Sequence, residues 1–529
     1  MFDKMTPNQR LLVAVLVSVI FFVGYTAIFP PKEPQQDQQV AQTKVQKVKE
    51  TSVEEVSGHE ISEAEKIDES ASSDIVVIKN DKFVLKIDSL GRISSKELLE
   101  DKFRDAEDLH AQVVPENGTK PLYVRFLDKT INESALKTPY SANITNAVVT
   151  PETPVEVILT QKLPQVTVIK ALRFYADGHY DVKITTSKPL RYYVYIGDRP
   201  QVAQQLMAVA GSMIYTNDDV AHITEDGEAE GRQVFQGVEL ASSFDQYTAT
   251  IMYGFNADTN VIVERGFESN PVVYFEAENN NEFHGYIGPK EHKVLEAINP
   301  VLVNAIEYGW FTFAAKPLFA LLSWLHGIFG NWGWAIIALT AIVRAVLYPL
   351  TYKGMVSMQK IKELAPQLKE IKEKYGKDPQ RMNAATMEMY KKHGANPLGG
   401  CLPMILQIPV FFAIYRVLLN AVELQGAPWL LWIDDLSRMD PYYILPILMG
   451  ASMFLQQHMT PNNFTDPLQE KMFKYLPIIF TFFFVTFPSG LVLYWFVNNL
   501  FSIAQQFIVN QQFKNAKDVK VAVEKKSGK

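Results

Sequence analysis

Residues 332–349 read Trp332-Gly-Trp-Ala-Ile-Ile-Ala-Leu-Thr-Ala-Ile-Val-Arg344-Ala-Val-Leu-Tyr-Pro349. An apolar stretch of this length predicts a helix that crosses a membrane. At about 1.5 Å per residue, Arg344 lies roughly 18 Å from Trp332 and roughly 14 Å from Lys353, well inside the bilayer. Arginines at that depth usually face a protein interior or a water-filled cavity. Arg344 is therefore the leading functional candidate. The alternative is a structural arginine, bonded to helix carbonyls or to a carboxylate on a neighbouring span.

The composition indicates a polar part joined to a very apolar one. The chain has 529 residues, enough for two or more domains. Its mean hydropathy is near zero because apolar runs cluster at residues 11–29 and after residue 300. The single cysteine, Cys401, excludes an internal disulfide and a cysteine-based metal cage. The scattered histidines match no metal-ligand spacing, and no phosphate-binding G-x-x-x-x-G-K-[ST] loop occurs. We expect no cofactor and no metal.

The N-terminal part predicts a membrane anchor followed by a tether. Residues 1–30 hold an apolar run that follows Lys4 and Arg10 and lacks a small-x-small cleavage site. They predict an uncleaved signal anchor, the first transmembrane helix. Residues 31–73 are rich in Gln, Glu, Lys, Val and Ser with almost no aromatic residues, a composition that predicts a disordered tether.

Residues 74–300 contain many short segments of alternating polarity separated by turn residues. Such segments without helical patterns between them predict an antiparallel β-sandwich. The predicted strands are 74–79, 82–88, 122–127, 155–160, 180–185, 192–196, 247–253 and 272–275. No constellation of residues in this domain indicates catalysis.

The rest of the chain predicts five further spans. Residues 301–329 are apolar and aromatic but interrupted by charges and a proline, which favours an amphipathic helix in the membrane interface and leaves a seventh span as the alternative. Residues 330–352 form the second predicted span. Residues 398–510 contain the third to sixth spans with short loops, near residues 398–419, 442–457, 475–487 and 491–509.

Two basic segments set the predicted orientation. Residues 353–397 predict a helical hairpin, with one helix to Gly376 kinked at Pro366 and a second helix that starts at Asp378-Pro379 and ends at Gly394. Its lysines include Lys360, Lys362, Lys369 and Lys372, and the tail, residues 511–529, is also basic. The positive-inside rule places both segments, and both chain termini, in the cytoplasm. The β-rich domain then lies on the other side of the membrane.

Several stretches after residue 285 resemble the YidC/Oxa/Alb family of membrane protein insertases, in the form found in Gram-negative bacteria. They occur in the expected order, after an anchor and a large domain. They are Tyr286-Ile-Gly-Pro-Lys290, Tyr308-Gly-Trp310, Val343-Arg-Ala-Val-Leu-Tyr-Pro-Leu350, Asn396-Pro-Leu-Gly-Gly-Cys-Leu-Pro403, Asp440-Pro-Tyr-Tyr-Ile-Leu-Pro-Ile-Leu-Met-Gly450 and Phe487-Pro-Ser-Gly-Leu-Val-Leu-Tyr-Trp495.

The resemblance implies a multi-span α-helical protein of the bacterial inner membrane, with six transmembrane helices and a large periplasmic antiparallel β-sandwich domain. It implies a hydrated groove, open to the cytoplasm and to lipid, that contains Arg344, Thr340 and Gln407. It also implies a surface along which client helices slide, formed by Ile405, Phe411, Phe412, Tyr494 and Trp495. Trp495 stands where relatives often carry a tyrosine, so the resemblance implies an aromatic surface here without a role for that hydroxyl.

The resulting hypothesis is a non-enzymatic insertase and assembly chaperone. Its expected partners are nascent membrane proteins, the lipid bilayer and the Sec translocon, with no specific recognition of nucleic acid. The basic hairpin and tail also predict contact with ribosomes. The alternatives are a transporter or channel for an anionic solute that binds Arg344, and an intramembrane protease that uses Ser489 and His458.

Overall fold

The structure is a computed structural model that describes residues 72–104, 109–202, 208–309, 312–376, 378–394, 402–460 and 467–526. The predicted signal anchor, and the predicted tether up to residue 71, lie outside the described residues. All described residues belong to one compact unit, Glu63–Lys529.

The described chain between residues 74 and 289 forms a β-sandwich, as the sequence predicts. Its strands alternate buried and exposed residues, because successive side chains of a strand point to opposite faces. The strands are β1 (Asp74–Lys79), β2 (Phe83–Asp88), β3 (Ile93–Leu98), β4 (Val124–Phe126), β5 (Ser141–Ala142), β6 (Asn146–Val148), β7 (Val155–Lys162), β8 (Thr167–Phe174), β9 (His179–Thr186), β10 (Arg191–Tyr195), β11 (Gly211–Thr216), β12 (Ala221–Glu225), β13 (Arg232–Phe235), β14 (Val238–Phe244), β15 (Thr248–Tyr253), β16 (Val261–Arg265), β17 (Pro271–Glu278) and β18 (Asn281–Pro289).

These strands form three sheets around one apolar core. The sheet orders are β3-β2-β1-β6, β13-β16-β17-β10-β4 and β12-β11-β14-β15-β18-β9-β8-β7-β5. Strand β1 pairs with β6 in parallel, whereas the neighbouring pair β1–β2 and the long hairpin β7–β8 are antiparallel. Inward-facing residues of all three sheets, such as Ile78, Phe275 and Phe283, meet in the core.

Helices dominate the chain after residue 290. They are α2 (His292–Ile298), α3 (Thr312–Phe329), α4 (Trp332–Glu363), α5 (Ala365–Tyr375), α6 (Pro379–Lys392), α7 (Leu402–Asn420), α8 (Ile444–Met459), α9 (Pro467–Phe484) and α10 (Ser489–Lys526). One helix, α1 (Lys129–Lys137), lies within the β-rich part of the chain.

Within the described chain, three helices are long and apolar enough to cross a membrane: Thr312–Phe329, Trp332–Glu363 and Ser489–Asn515. Two shorter apolar segments, Gln407–Asn420 and Phe473–Phe484, fall in α7 and α9. Helix α3 has the length and composition of a span, which is the alternative that the sequence left open beside an interfacial helix. The count of six spans stays a prediction.

The basic hairpin differs from its prediction at its first turn. Helix α4 runs without a break from the apolar stretch to Glu363, and the chain turns at Leu364 (φ −87°, ψ 0°). Pro366 lies in the first turn of α5 instead of kinking a longer helix. Inside a helix a proline lacks the N–H that bonds to the carbonyl four residues earlier, and its ring clashes with that carbonyl, but a proline is tolerated in a first turn, so the break precedes it. The predicted cap is present, because the Asp378 side chain accepts a hydrogen bond from the Arg381 N–H.

The β-sandwich and the helices are in direct contact. Leu240 of β14 and Phe319 of α3 belong to one buried apolar cluster, which also contains Leu339 of α4 and Ile306, a residue between α2 and α3. Val422, in the loop after α7, is buried within the core of the sandwich itself. The Gln246 side chain donates a hydrogen bond to the Leu419 carbonyl at 2.8 Å. The loop after α7 is therefore fixed to the sandwich.

Candidate functional site

The guanidinium of Arg344 lies against helix α10. Its Nε donates to Asn498 Oδ1 at 2.7 Å, and its Nη2 donates to the Asn498 carbonyl at 3.1 Å and to Ser502 Oγ at 2.6 Å. Arg344 is half-buried, whereas Asn498 and Ser502 are buried. Among the described residues, no carboxylate forms a salt bridge with Arg344. The cation is therefore solvated by neutral groups of a neighbouring helix.

Further polar contacts follow helix α10 toward its C-terminal end. Gln505 Nε2 donates to Thr351 Oγ1 at 2.8 Å, and Tyr352 Oη donates to Gln512 Oε1 at 2.7 Å. A third contact joins α10 to α8, since Asn499 Nδ2 donates to Ser452 Oγ at 3.1 Å. We call the residues that join α4 to α10 the polar seam: Arg344, Thr351, Tyr352, Asn498, Ser502, Gln505 and Gln512.

Sequence reasoning did not single out the α10 side of this seam. The signal was present, because Asn498, Ser502 and Gln505 recur at spacings of four and three within an apolar segment and so share one helix face. Polar residues inside a spanning helix usually face the protein interior. The partner of Arg344 could have been sought there.

Two other predicted groove residues lie in different settings. Thr340 is on α4, one turn before Arg344, and is only 1% exposed. Its hydroxyl donates to the Ile336 carbonyl at 2.7 Å, so its hydrogen is used within its own helix. Gln407 is half-buried on α7. No hydrogen bond joins Gln407 to Arg344 in the described structure.

The predicted sliding surface divides into an exposed and a buried part. Phe411 and Trp495 meet edge to face with ring centroids 4.6 Å apart, and Phe412 is 44% exposed beside them. Tyr494 is 2% exposed and is packed among the helices instead. Ile405 belongs to α7, but its side chain is outside the described part. Trp495 also contacts Phe484 of α9, with centroids 5.2 Å apart.

The four predicted hairpin lysines are all exposed. Lys360 and Lys362 are near the end of α4, and Lys369 and Lys372 are on α5. The hairpin is held together by its own small apolar cluster, in which Ile361 and Leu364 meet Met389 of α6. These lysines therefore form a cationic surface on a packed scaffold.

Neither a metal site nor a serine–histidine pair is found in the described chain. No group of three or more His, Cys, Asp or Glu side chains there could hold a metal ion. Ser489 begins α10, and its hydroxyl donates to the Arg438 carbonyl at 2.8 Å. His458 precedes Met459, whose carbonyl accepts from Asn510. Asn510 lies 21 residues along α10 from Ser489, roughly 32 Å at 1.5 Å per residue. The protease hypothesis is excluded by this distance.

Family models match most of the chain after residue 241. The family described as 60Kd inner membrane protein matches residues 324–517, and the YidC periplasmic domain matches residues 242–321.

Individual proteins match over almost their whole length. The membrane protein insertase YidC of Wolinella succinogenes is 47% identical over 533 residues, which cover 100% of this chain and 99% of that protein. The corresponding protein of Campylobacter jejuni is 46% identical and covers 97% of each chain. A crystal structure of an active YidC insertase with its first transmembrane domain resolved is 20% identical, with a TM-score of 0.37, and covers 83% of this chain and 95% of that one.

Proposed function

This chain belongs to the YidC family of membrane protein insertases, and from that premise we propose that it inserts client helices through a cationic, polar groove around Arg344. The observation that carries the proposal is the setting of Arg344. Its charge lies within a helix of spanning length, is held by neutral groups, and has no carboxylate partner among the described residues. Such a cation keeps its attraction for a carboxylate that enters from outside the protein.

The physical task is to move a polar segment across an apolar layer. Unsatisfied backbone groups cost several kcal/mol each in hydrocarbon, and charged side chains add to that cost. A polar groove that reaches partway into the bilayer shortens the apolar path. The polar seam offers donors and acceptors from Arg344 to Gln512, on the side where the basic hairpin lies.

Electrostatics favours acidic client segments in particular. Arg344 attracts a carboxylate, and the membrane potential contributes about 2.3 kcal/mol per charge per 100 mV to moving an acidic residue outward. No nucleotide hydrolysis enters this scheme. Burial of the client's apolar surface in lipid supplies the remaining driving force, at about 25 cal/mol per Å².

The client's apolar helix leaves sideways into lipid past the aromatic residues next to the groove. Phe412 is exposed, and the contact between Phe411 and Trp495 joins α7 to α10. Together they support a lipid-accessible apolar track. Thr340 and Gln407 complete the proposed groove. We assign Tyr494 to its support, since its side chain is buried.

The proposed partners follow from the charges and from the family. Nascent membrane proteins are the clients, and the lipid bilayer receives them. The exposed lysines of the hairpin and the basic tail face the cytoplasm in the proposed orientation, where they meet translating ribosomes. Cooperation with the Sec translocon belongs to the proposal. So does the arrangement of six spans in the inner membrane, with both termini cytoplasmic and the β-sandwich periplasmic.

Purified protein in liposomes tests the groove directly. The client is a single-span protein with an acidic outside tail, compared with the same client carrying a neutral tail. We expect insertion by the wild type without nucleotide, loss of insertion of the acidic client with Arg344→Ala, and retention with Arg344→Lys. If the Ala variant inserts the acidic client as well as the wild type does, Arg344 is structural and the groove mechanism is wrong.

A further inference from the structure

The hydrogen bonds of Arg344 leave one end of its guanidinium without a partner. An arginine side chain has five N–H donors: one on Nε and two on each terminal nitrogen. Asn498 Oδ1 accepts from Nε, and the Asn498 carbonyl and Ser502 Oγ accept from Nη2. Among the described residues, Nη1 has no hydrogen-bond partner. Two donors thus remain for a ligand, both on Nη1.

The two α10 residues are themselves fixed in place. Ser502 Oγ donates to the Asn498 carbonyl at 3.0 Å, so its hydrogen points away from Arg344 and a lone pair is left for Nη2. Only the oxygen of the Asn498 amide can accept from Nε, which sets the orientation of that amide. Asn498 is 5% and Ser502 is 2% exposed. Their burial restricts replacement of these acceptors by water.

This arrangement limits how a carboxylate can bind. The strong arginine–carboxylate pair is bidentate and needs two parallel N–H donors on one edge of the guanidinium. The Nε–Nη2 edge is occupied, and the Nη1–Nη2 edge lacks a free donor on Nη2. A carboxylate therefore reaches one nitrogen alone, unless a bond to α10 breaks first.

We infer that Asn498 and Ser502 are positioning residues that keep Arg344 from binding client carboxylates in the bidentate mode. The inference rests on the proposed function. A groove that bound acidic residues tightly would retain its client, whereas a single-nitrogen contact attracts the acidic segment and still releases it. The two residues thus set the residence time of an acidic client in the groove.

Asn498→Leu and Ser502→Ala remove side-chain acceptors, and Asn499→Leu is the matched control because Asn499 contacts Ser452 instead. The measurement is the lifetime of a stalled client in proteoliposomes, followed by site-specific crosslinking from the groove to matched acidic and neutral tails. Ser502→Ala frees a donor on Nη2, next to Nη1, and one added charge-assisted hydrogen bond then lengthens the lifetime of the acidic client about tenfold. We expect a smaller increase with Asn498→Leu, because the Asn498 carbonyl and Ser502 still hold Nη2, and no change for the neutral client or for Asn499→Leu.

An ion-pair variant approaches the same question from the opposite side. Asn498→Asp supplies an internal carboxylate to Arg344, so crosslinking of the acidic client falls to the Arg344→Ala level while that of the neutral client is retained. The inference is overturned if Asn498→Leu and Ser502→Ala alter both clients equally, or neither. If Arg344→Ala affects the acidic and the neutral client equally, the groove proposal itself fails. That result is independent of the α10 variants, so the two failures can be told apart.

Discussion

The carboxylate of Glu423, in the loop after α7, accepts a hydrogen bond from the backbone N–H of His292 at 2.9 Å. His292 is the first residue of α2, and its own N-cap residue, Glu291, makes no side-chain capping bond. A helix N-terminus has backbone N–H groups without intrahelical partners. Glu423 satisfies one of them from a distant part of the sequence, and thereby joins the helix after the β-sandwich to the loop after α7.

This junction is expected to weaken as the pH rises. Burial raises the pKa of Glu423 from 4.5 to about 7, against the opposing effect of the His292 hydrogen bond. Between about pH 4.5 and pH 7, Glu423 therefore carries a proton in the folded state but not in the unfolded state. The free energy of unfolding falls with rising pH across that window. Glu423→Gln keeps an acceptor for the His292 N–H. The variant should avoid this fall in the free energy of unfolding, which amounts to about 3 kcal/mol in the wild type. Unfolding of the detergent-solubilised protein at pH 5 and pH 8 measures it.

Glu282→Gln is the control for that experiment, because the Glu282 side chain is 66% exposed. It should leave the difference in stability between pH 5 and pH 8 as in the wild type. If stability depends on pH equally in the wild type and in Glu423→Gln, the pH dependence does not come from Glu423.

A buried lysine has the opposite pH dependence. Lys96 of β3 donates to the carbonyls of Gly178 and Ile287, and burial lowers its pKa to about 7. Above that pH the unfolded state binds the proton more strongly, so stability rises with pH from about 7 toward the ordinary lysine pKa. In Lys96→Met, the slope of the free energy of unfolding against pH should be smaller by up to about 1.4 kcal/mol per pH unit. Chemical unfolding between pH 7 and pH 9 tests this.

The control is Lys188→Met, since Lys188 is exposed after β9. A wild-type slope in Lys96→Met would mean that the amino group of Lys96 does not lose its proton in the folded protein over this pH range.

The same lysine shows why the strand prediction was incomplete. Strand β3 reads Ile93-Ser-Ser-Lys-Glu-Leu98, which looks polar, and β8 carries Lys170 among its apolar residues. Both lysines can be buried because their amino groups donate hydrogen bonds to carbonyl groups from distant parts of the chain. Alternating patterns predicted the regular strands such as β1 and β7. Strands whose inward residues depend on such distant partners cannot be recognised from local polarity.

The sequence predicted the candidate functional site only in part: it identified Arg344 but not the partners of Arg344 on α10. The apolar stretch identified Arg344, because one cation in a spanning segment stands out locally. Its partners on α10 are more than 150 residues away in sequence, and the choice among Asn498, Asn499 and Ser502 depends on how two helices rotate against each other. The burial of Tyr494 beside the partly exposed Trp495 depends on the same rotation.

Close packing of α8 on α9 depends on a glycine. A Cβ atom added at Gly450 would lie 1.9 Å from Thr481 Oγ1. Small residues let neighbouring helices approach closely. We expect Gly450→Ala to destabilise the protein by about 1 to 3 kcal/mol, as overpacking of a core does. The melting temperature in detergent measures the effect.

Gly327→Ala in α3 is the matched control, since nothing lies within 4 Å of its added Cβ. The second variant Thr481→Ala removes the nearest atom and leaves the next at 3.1 Å. It should restore part of the stability lost in Gly450→Ala, a non-additivity expected for residues in contact. Additive losses would show that the two helices are not held at this distance.

The basic hairpin should unfold locally without the β-sandwich, because its packing depends on few residues. Leu364 is buried against Met389 at the junction of α4 and α5, within a cluster that contains no residue of the sandwich. Leu364→Ala removes much of this small core, and such truncations cost about 2 to 5 kcal/mol in larger ones. We expect faster amide hydrogen exchange across residues 365–392 and wild-type exchange in β7 to β9. Lys369→Ala, at an exposed position of α5, should leave both regions as in the wild type. If exchange in Leu364→Ala rises equally in the sandwich, the hairpin is not an independent folding unit.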